Sequence, residues 1–324
     1  MKTISSSATP ERPRKSIWSY LGLLPALLAM IIFFSIKSQN FLTWGTFQMI
    51  ANQIPALAVM ATGMTYVLII GGIDLSVGSV LAFSAAVMGM AMVKLGINMP
   101  LAIIMGLAIG LACGAITGVI TVWGIPSFIM SLGMLEMARS GAYFATDQRT
   151  EYIGGDIGII SEPLIYGISP AFLAAIVIII AGQVVLTRTV LGRKMIGIGT
   201  NEEAMRLAGI DPRPIKIGVF ALMGVLAAIG GVFQTSRAEA ADPGAGTGME
   251  LQVIAAVVIG GTSLMGGRGS VFATFVGVLI MAVLETGLAQ IGASEQVKRF
   301  ITGLIIIAAV GFDVYRTRMQ VRRG

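Results

Sequence analysis

Apolar runs, each close to the length that crosses a bilayer, follow one another along the chain with charges between them, and this alternation leaves few folds open. A helix needs about 20 apolar residues to span the hydrocarbon core, within a range of roughly 17 to 25. Clear runs cover Ile17 to Ile36, Ser76 to Val93, Leu101 to Val122, Pro170 to Leu186, Ile217 to Ser236, Val271 to Leu284 and beyond, and Ile301 to Phe312. Three more are apolar but flawed. Ala56 to Ile70 and Leu251 to Met265 are short and run into Gly-Gly breaks, while Pro126 to Ala145 carries Glu136 and Arg139. Those two charges lie one helical turn apart, spaced to neutralise each other on a helix face turned from lipid. Together the ten segments predict an all-α polytopic membrane protein with about ten transmembrane helices, some of them broken or re-entrant.

Composition agrees with that prediction and removes most other functions. Of 324 residues, 56% are hydrophobic and 12% charged, against roughly 45–50% and about 25% in a soluble protein. The 42 glycines and 20 methionines suit close helix packing in a bilayer. With no His and a single Cys, Cys113, a His-based triad, a Cys/His metal site and an intrachain disulfide are excluded. Cys113 sits among small apolar residues and reads as packing. The net charge of +6 is spread between apolar runs rather than gathered on one soluble face, so no nucleic-acid partner is expected.

Charge also orients the spans, because Lys and Arg accumulate on the cytoplasmic side. Lys2, Arg12, Arg14 and Lys15 lie in the N-terminal tail, Arg316, Arg318, Arg322 and Arg323 in the C-terminal tail, and Arg188, Arg193, Lys194, Arg206, Arg213 and Lys216 in the long central connection. With ten crossings all three regions fall on one side, so both termini are expected in the cytoplasm. The segment Thr146 to Ser169, with Arg149 against Asp147, Glu151, Asp156 and Glu162, fits the outside. The divisions are then a cytoplasmic tail over residues 1–16, one transmembrane domain over 17–315 with a cytoplasmic segment at 187–214, and a second cytoplasmic tail over 316–324. Ile17 to Ile36 lacks a signal peptide's short core and cleavage site and reads as a retained span. Phe41 to Ile54, with Trp44 and Phe47, reads as an interfacial lead-in.

Two places echo each other. Ile70-Gly71-Gly72-Ile73-Asp74-Leu75 and Ile259-Gly260-Gly261-Thr262-Ser263-Leu264 share an I-G-G-x-x-L core 189 residues apart, and each leads through Gly and Ser (Gly78-Ser79, Gly269-Ser270) into a new apolar run. This predicts an internal repeat. Unwound backbone at membrane depth survives where it is buried in protein or lines a watery cavity, so matched breaks point to a transport pathway. Gly71, Gly72, Asp74, Ser76, Gly78, Ser79, Gly260, Gly261, Thr262 and Ser263 are its candidate residues. The same glycines also suit turns or close helix contacts. Asp74 suits a polar path or, equally, a cap for a helix beginning near Leu75. Glu285 lies deep in the span after Val271 or marks that helix's end.

Between two spans, residues 199–210 hold a start signal, an amphipathic stretch and a stop. Asn201 can cap a short helix, Glu202 and Glu203 favour its N-terminal dipole, Ala204, Leu207 and Ala208 form an apolar stripe, and Gly209 and Ile210 end it before Asp211-Pro212. Such a stripe fits a helix-in-groove contact with a soluble partner, or a plain connector.

The strings Gly71-Gly72-Ile73-Asp74-Leu75-Ser76-Val77-Gly78-Ser79, Gly199-x-Asn201-Glu202-x-Ala204 to Leu207-x-Gly209-Ile210, and Gly246-Thr247-Gly248-x-Glu250-Leu251 to Gly260-Gly261-Thr262-Ser263-Leu264-x-Gly266-Gly267-Arg268-Gly269, in this order and spacing, resemble the ribose-type sugar permeases of ABC importers from about residue 17 to 315. The resemblance implies a pair of permease subunits, identical or paralogous, in the bacterial inner membrane. It further implies an ATP-binding subunit on the cytoplasmic side, with ATP-Mg held there and no cofactor on this chain, and a periplasmic binding protein delivering a pentose- or hexose-like solute to the outer loops. Residues 201–210 would be the coupling helix docked on the ATPase. The chain has no Gly-Lys dipeptide and hence no P-loop of its own, so it is not expected to be an enzyme. Two positions depart from the pattern, which leads one to expect an acid where Gln252 stands and an aromatic where Met249 stands. Alternatives are a furanone quorum signal, a nucleoside or a branched-chain amino acid as cargo, or an ion-coupled secondary transporter using Asp74, Glu136 and Glu285.

Overall fold

The computed structural model describes residues 23–321, so the tail 1–16, the start of the first apolar run and residues 322–324 lie outside the described residues. Within them each apolar run is a helix: α1 (Leu23–Lys37), α2 (Trp44–Gln53), α3 (Pro55–Ile69), α4 (Val77–Val93), α5 (Met99–Val122), α6 (Ser127–Ala145), α7 (Pro170–Arg188), α8 (Val190–Thr200), α9 (Glu202–Leu207), α10 (Arg213–Ala238), α11 (Met249–Ile259), α12 (Val271–Gln290) and α13 (Glu295–Val321). Helices α5, α7, α10 and α12 are each long and apolar enough to cross a membrane, and the pair α2–α3, bent by 49°, makes a fifth candidate. The chain is an all-α, multi-pass membrane protein. Helices α1, α4 and α11 are apolar but shorter, and α13 runs past the expected boundary at 315 to Val321.

The starts follow from local chemistry. Asn98 and Ser169 cap α5 and α7 by accepting the N–H groups of Leu101 and Phe172, each with Pro in the first turn, where its missing N–H has no helical partner to lose. The lead-in at Phe41 to Ile54 becomes α2, capped by Thr43, with the exposed rings of Trp44 and Phe47 stacked 5.0 Å apart.

Helix α3 is the axis of the molecule. All fifteen of its residues are buried, and α2, α7, α8, α10, α11 and α12 pack around it. A helix apolar on every side has no amphipathic stripe because every face is core. Beside it, α5 and α10 meet along a seam of glycines: Cβ atoms at Gly110, Gly114 and Gly224 would each overlap backbone of the other helix. This is the small-residue packing that membrane interiors favour, where lipid supplies no hydrophobic drive between helices and van der Waals contact must.

At one end, the segment after α6 and the segment after α10 fold together. β1 (Glu151–Tyr152) pairs antiparallel with β2 (Ala240–Ala241), Glu151 opposite Ala241, and the Ser236 hydroxyl donates to the Ile157 carbonyl at 2.7 Å. Lys94 meets Asp147 at 2.5 Å in the same layer.

Candidate functional site

Both glycine breaks close their helices alike. Gly71 and Gly261, at φ +76° and +83°, take the left-handed conformation that an L side chain resists. At the end of α3, Gly71 N–H donates to Leu68 and Gly72 N–H to Val67, both at 2.9 Å. At the end of α11, Gly261 N–H donates to Val258 at 2.8 Å and Thr262 N–H to Val257 at 3.2 Å. This pair of bonds satisfies carbonyls that the last turn leaves free. The same closure also ends α9 at Gly209 and α12 at Gly292, so the closure by itself does not set the two breaks apart from other helix ends. Beyond the breaks the halves differ, since α11 packs back on α12 whereas α3 and α4 each pack on α10.

Past the first break, Ile73 N–H donates to the Ser127 hydroxyl at 3.0 Å, tying the unwound stretch to the start of α6. Asp74, 2% exposed, accepts the Ser76 N–H at 2.9 Å and the Ser76 hydroxyl at 2.6 Å. The expected cap is therefore displaced: Asp74 closes a turn on Ser76, and the helix begins at Val77 rather than near Leu75. The physical reason is that an Asp carboxylate reaches its own backbone two residues on as readily as a helix start. Of the ten pathway candidates, only Gly71 and Gly261 are exposed; Gly72, Asp74, Ser76, Gly78, Ser79, Gly260, Thr262 and Ser263 are buried in packing.

The three strings behind the resemblance touch one another. A Cβ on Gly78 would overlap the Gly246 carbonyl and come within 2.6 Å of a Glu250 carboxylate oxygen. Gly267 N–H donates to the Ile69 carbonyl at 2.9 Å, joining the second break to the last residue of α3. Gly199, in the last turn of α8, is flush against both: its Cβ would overlap Ile69 O and lie 2.5 Å from Gly267 N. Residues 69, 71, 199, 266 and 267 thus form one junction of main chain. Gly199 had a signal in the sequence, standing two residues before the cap of α9, but spacing alone does not say what it touches. Beside the junction a cavity of about 330 Å³ opens, lined by Gly71, Gly72, Thr121, Ser127, Lys216 and Phe220 among others.

The short helix α9 forms as its sequence dictates. Asn201 accepts the Ala204 N–H at 2.9 Å, and Gly209 at φ +79° stops it, with Ile210 N–H donating to Met205. Met205 and Ile210 turn inward; Glu203, Ala204, Ala208 and Leu207, the last 82% exposed, face out. Glu202 is held by Lys216 at the start of α10 and by Arg206 at 2.7 Å. Burial pushes its carboxyl up, but these two cations outweigh burial and hold it below the usual carboxylate range.

Two expectations about charged pairs change. Arg139 does not form an ion pair with Glu136: one terminal nitrogen of its guanidinium donates to the carbonyls of Pro243 and Ala245 at 2.6 and 2.7 Å, two fixed main-chain acceptors that take up both of its hydrogens. Glu285 is paired across helices, accepting from the Gln252 amide at 2.8 Å. The acid expected at 252 is thus supplied from the facing helix.

The comparisons with known proteins cover nearly the whole chain. Residues 46–310 match the family model described as branched-chain amino acid transport system / permease component. The ribose import permease protein RbsC of Escherichia coli K12 is 40% identical over 300 residues, 90% of this chain and 92% of that one. Its Bacillus subtilis namesake is 36% identical over 297 residues, 90% and 92% of the two chains. The L-arabinose ABC transporter permease protein AraH of Azospirillum brasilense is 32% identical over 327 residues, 97% and 94%. No solved structure matches. With likeness of this length and depth, and with the motifs that carry it converging in space, the chain belongs to the family of ABC-importer permease components, on the ribose-type branch.

Proposed function

We propose that this chain is the transmembrane permease subunit of an ATP-driven importer for a monosaccharide of the pentose or hexose kind, resident in the bacterial inner membrane. Relatives named for ribose and arabinose supply the cargo class. In this reading the ten helical segments cross the membrane ten times with both termini in the cytoplasm, and the two glycine-broken halves act as parallel repeats. Two such subunits, identical or paralogous, enclose the path; an ATP-binding subunit carries ATP-Mg and performs hydrolysis; a periplasmic binding protein docks on the joined layer of residues 146–169 and 237–250. Helix α9 is the coupling helix, presenting Glu203, Ala204 and Leu207 to the ATPase.

The observation that carries the reading is the main-chain junction at Gly199. It places the exposed helix α9 one residue beyond α8, and α8 directly against both glycine breaks. A push on α9 from outside the chain therefore reaches the unwound segments without passing through any flexible side chain, which is the arrangement an energy source on a separate subunit requires. Furanone or nucleoside cargo lacks comparable support among the relatives' names, and of the three acids an ion-coupled mechanism would use, Glu285 is committed to Gln252 and Asp74 to Ser76.

Purification of the tagged protein from its native membranes in mild detergent tests this. The expected result is co-purification of an ATP-binding subunit, with ATPase activity stimulated by a binding protein loaded with a pentose or hexose. Recovery of the chain alone, with uptake that collapses when the ion gradient is dissipated, overturns it.

A further inference from the structure

Helix α6 differs from its neighbours in what it exposes. On α7 the exposed residues include Leu173, Val177, Ile180 and Val184, an uninterrupted apolar face, and α5 likewise exposes Leu101, Ile104, Leu111 and Ile116. These are surfaces that lipid can cover. On α6 the outward stripe at four-residue spacing is Phe128, Leu132, Glu136, Ser140 and Phe144, flanked by the exposed side chains of Ile129, Met137 and Tyr143 and by Gly133, where a Cβ would meet open space, so that Glu136 is a lone carboxylate on an otherwise largely apolar face. Glu136 is the tenth of nineteen residues, at the middle of the helix. It is exposed, and among the described residues it makes no hydrogen bond or ion pair, its natural partner Arg139 being bound to the 243 and 245 carbonyls instead.

Helix α6 packs against α4 and α5, and α5 is long and apolar enough to cross the membrane by itself, so α6 traverses the same depth. A carboxylate at mid-depth is costly in hydrocarbon and is found facing the bundle interior or water. The exposed face of α6 is therefore not a lipid face. Its lower end leads into the cavity beside the first glycine break, which Ser127 and Phe128 help to line, and its upper end reaches Tyr143 and the outer layer that Arg139 ties down.

We infer that this face of α6 lines the water-filled solute path, and that Glu136 accepts hydrogen bonds from the hydroxyl groups of a neutral, polyhydroxylated solute halfway along it. The inference rests on the permease reading above, with a second permease subunit closing the open side. A carboxylate accepts from two vicinal hydroxyls at once without donating, which suits a sugar, while a single such group on a face of Gly, Ser and apolar residues holds the solute weakly enough to let it go.

The test uses the single cysteine. Cys113 is buried, so Cys113→Ser gives a cysteine-free chain into which Glu136→Cys, or Val177→Cys as a lipid-facing control, is placed. The assembled transporter in proteoliposomes is treated with a small, charged, membrane-impermeant methanethiosulfonate. Cysteine at 136 is expected to react, that at 177 not to, and ribose or arabinose delivered by the binding protein to slow the reaction at 136. In the otherwise native chain, Glu136→Leu is expected to lower uptake kcat/KM about tenfold, the scale of one charge-assisted hydrogen bond, with Glu136→Gln intermediate and ATP hydrolysis retained. Equal inertness at 136 and 177 overturns the inference, because it means a sealed protein or lipid contact. So does labelling without protection by the very sugar the complex imports. If no sugar is imported at all, the proposed cargo fails, yet the contrast between 136 and 177 still decides whether α6 faces water.

Discussion

At position 252 a side-chain amide stands where the family pattern suggests an acid, and the carboxylate lies on the helix opposite. The hydrogen bond from Gln252 to Glu285 joins the first turn of α11 to the C-terminal part of α12, at the end of α11 away from the second break. Truncating one partner leaves the other half-buried and unsatisfied, which costs about 1–3 kcal/mol. Glu285→Ala is therefore expected to lower the midpoint of thermal unfolding in detergent, and the exchange Gln252→Glu with Glu285→Gln to recover most of the loss. An exchange no better than the single truncation would mean that the two residues act separately. Sequence alone marked 252 as a departure and 285 as suspicious. It had no means of connecting them, because a contact between helices at a separation of 33 residues leaves no periodic trace.

Among the elements, α9 is the one whose behaviour follows most directly from its residues. Its inward side is fixed by Met205, Ile210 and the Glu202–Lys216 pair, and its outward Ala204, Leu207 and Ala208 are exposed among the described residues. Glu203→Lys with Leu207→Asp should leave the protein inserted and folded, since both side chains are exposed, yet abolish co-purification of an ATPase; undiminished recovery of the partner would refute the coupling role. The helical runs, this short helix, its cap at Asn201 and its stop at Gly209 were legible because each depends on neighbours within a turn. The start of α4 was misplaced by two residues because Asp74 had two local partners of similar worth. The pairing of Glu136 with Arg139 failed for the opposite reason: a remote loop offered Arg139 two carbonyls, and no feature within α6 announces them.

For the molecule as a whole, one junction ties the α8–α9 segment to both breaks, and filling it should separate the two halves of the work. Gly199→Val forces a side chain into the Ile69 carbonyl and the Gly267 amide, an overpacking that costs about 1–3 kcal/mol. The expected phenotype is a complex that still assembles and hydrolyses ATP but imports solute at a small fraction of the native rate. Normal uptake by this variant would show that force takes another route.

That junction is built of amides, carbonyls and glycine Cα atoms, with no rotatable side chain between α8 and the two unwound segments. Exposed side chains hop between rotamers in picoseconds to nanoseconds, and a linkage made of them absorbs small displacements as play. Main chain in contact with main chain has no rotamers to take up the movement. A displacement of α8 then meets the Ile69 carbonyl and the Gly267 amide directly, in the manner of a pushrod bearing on its seat.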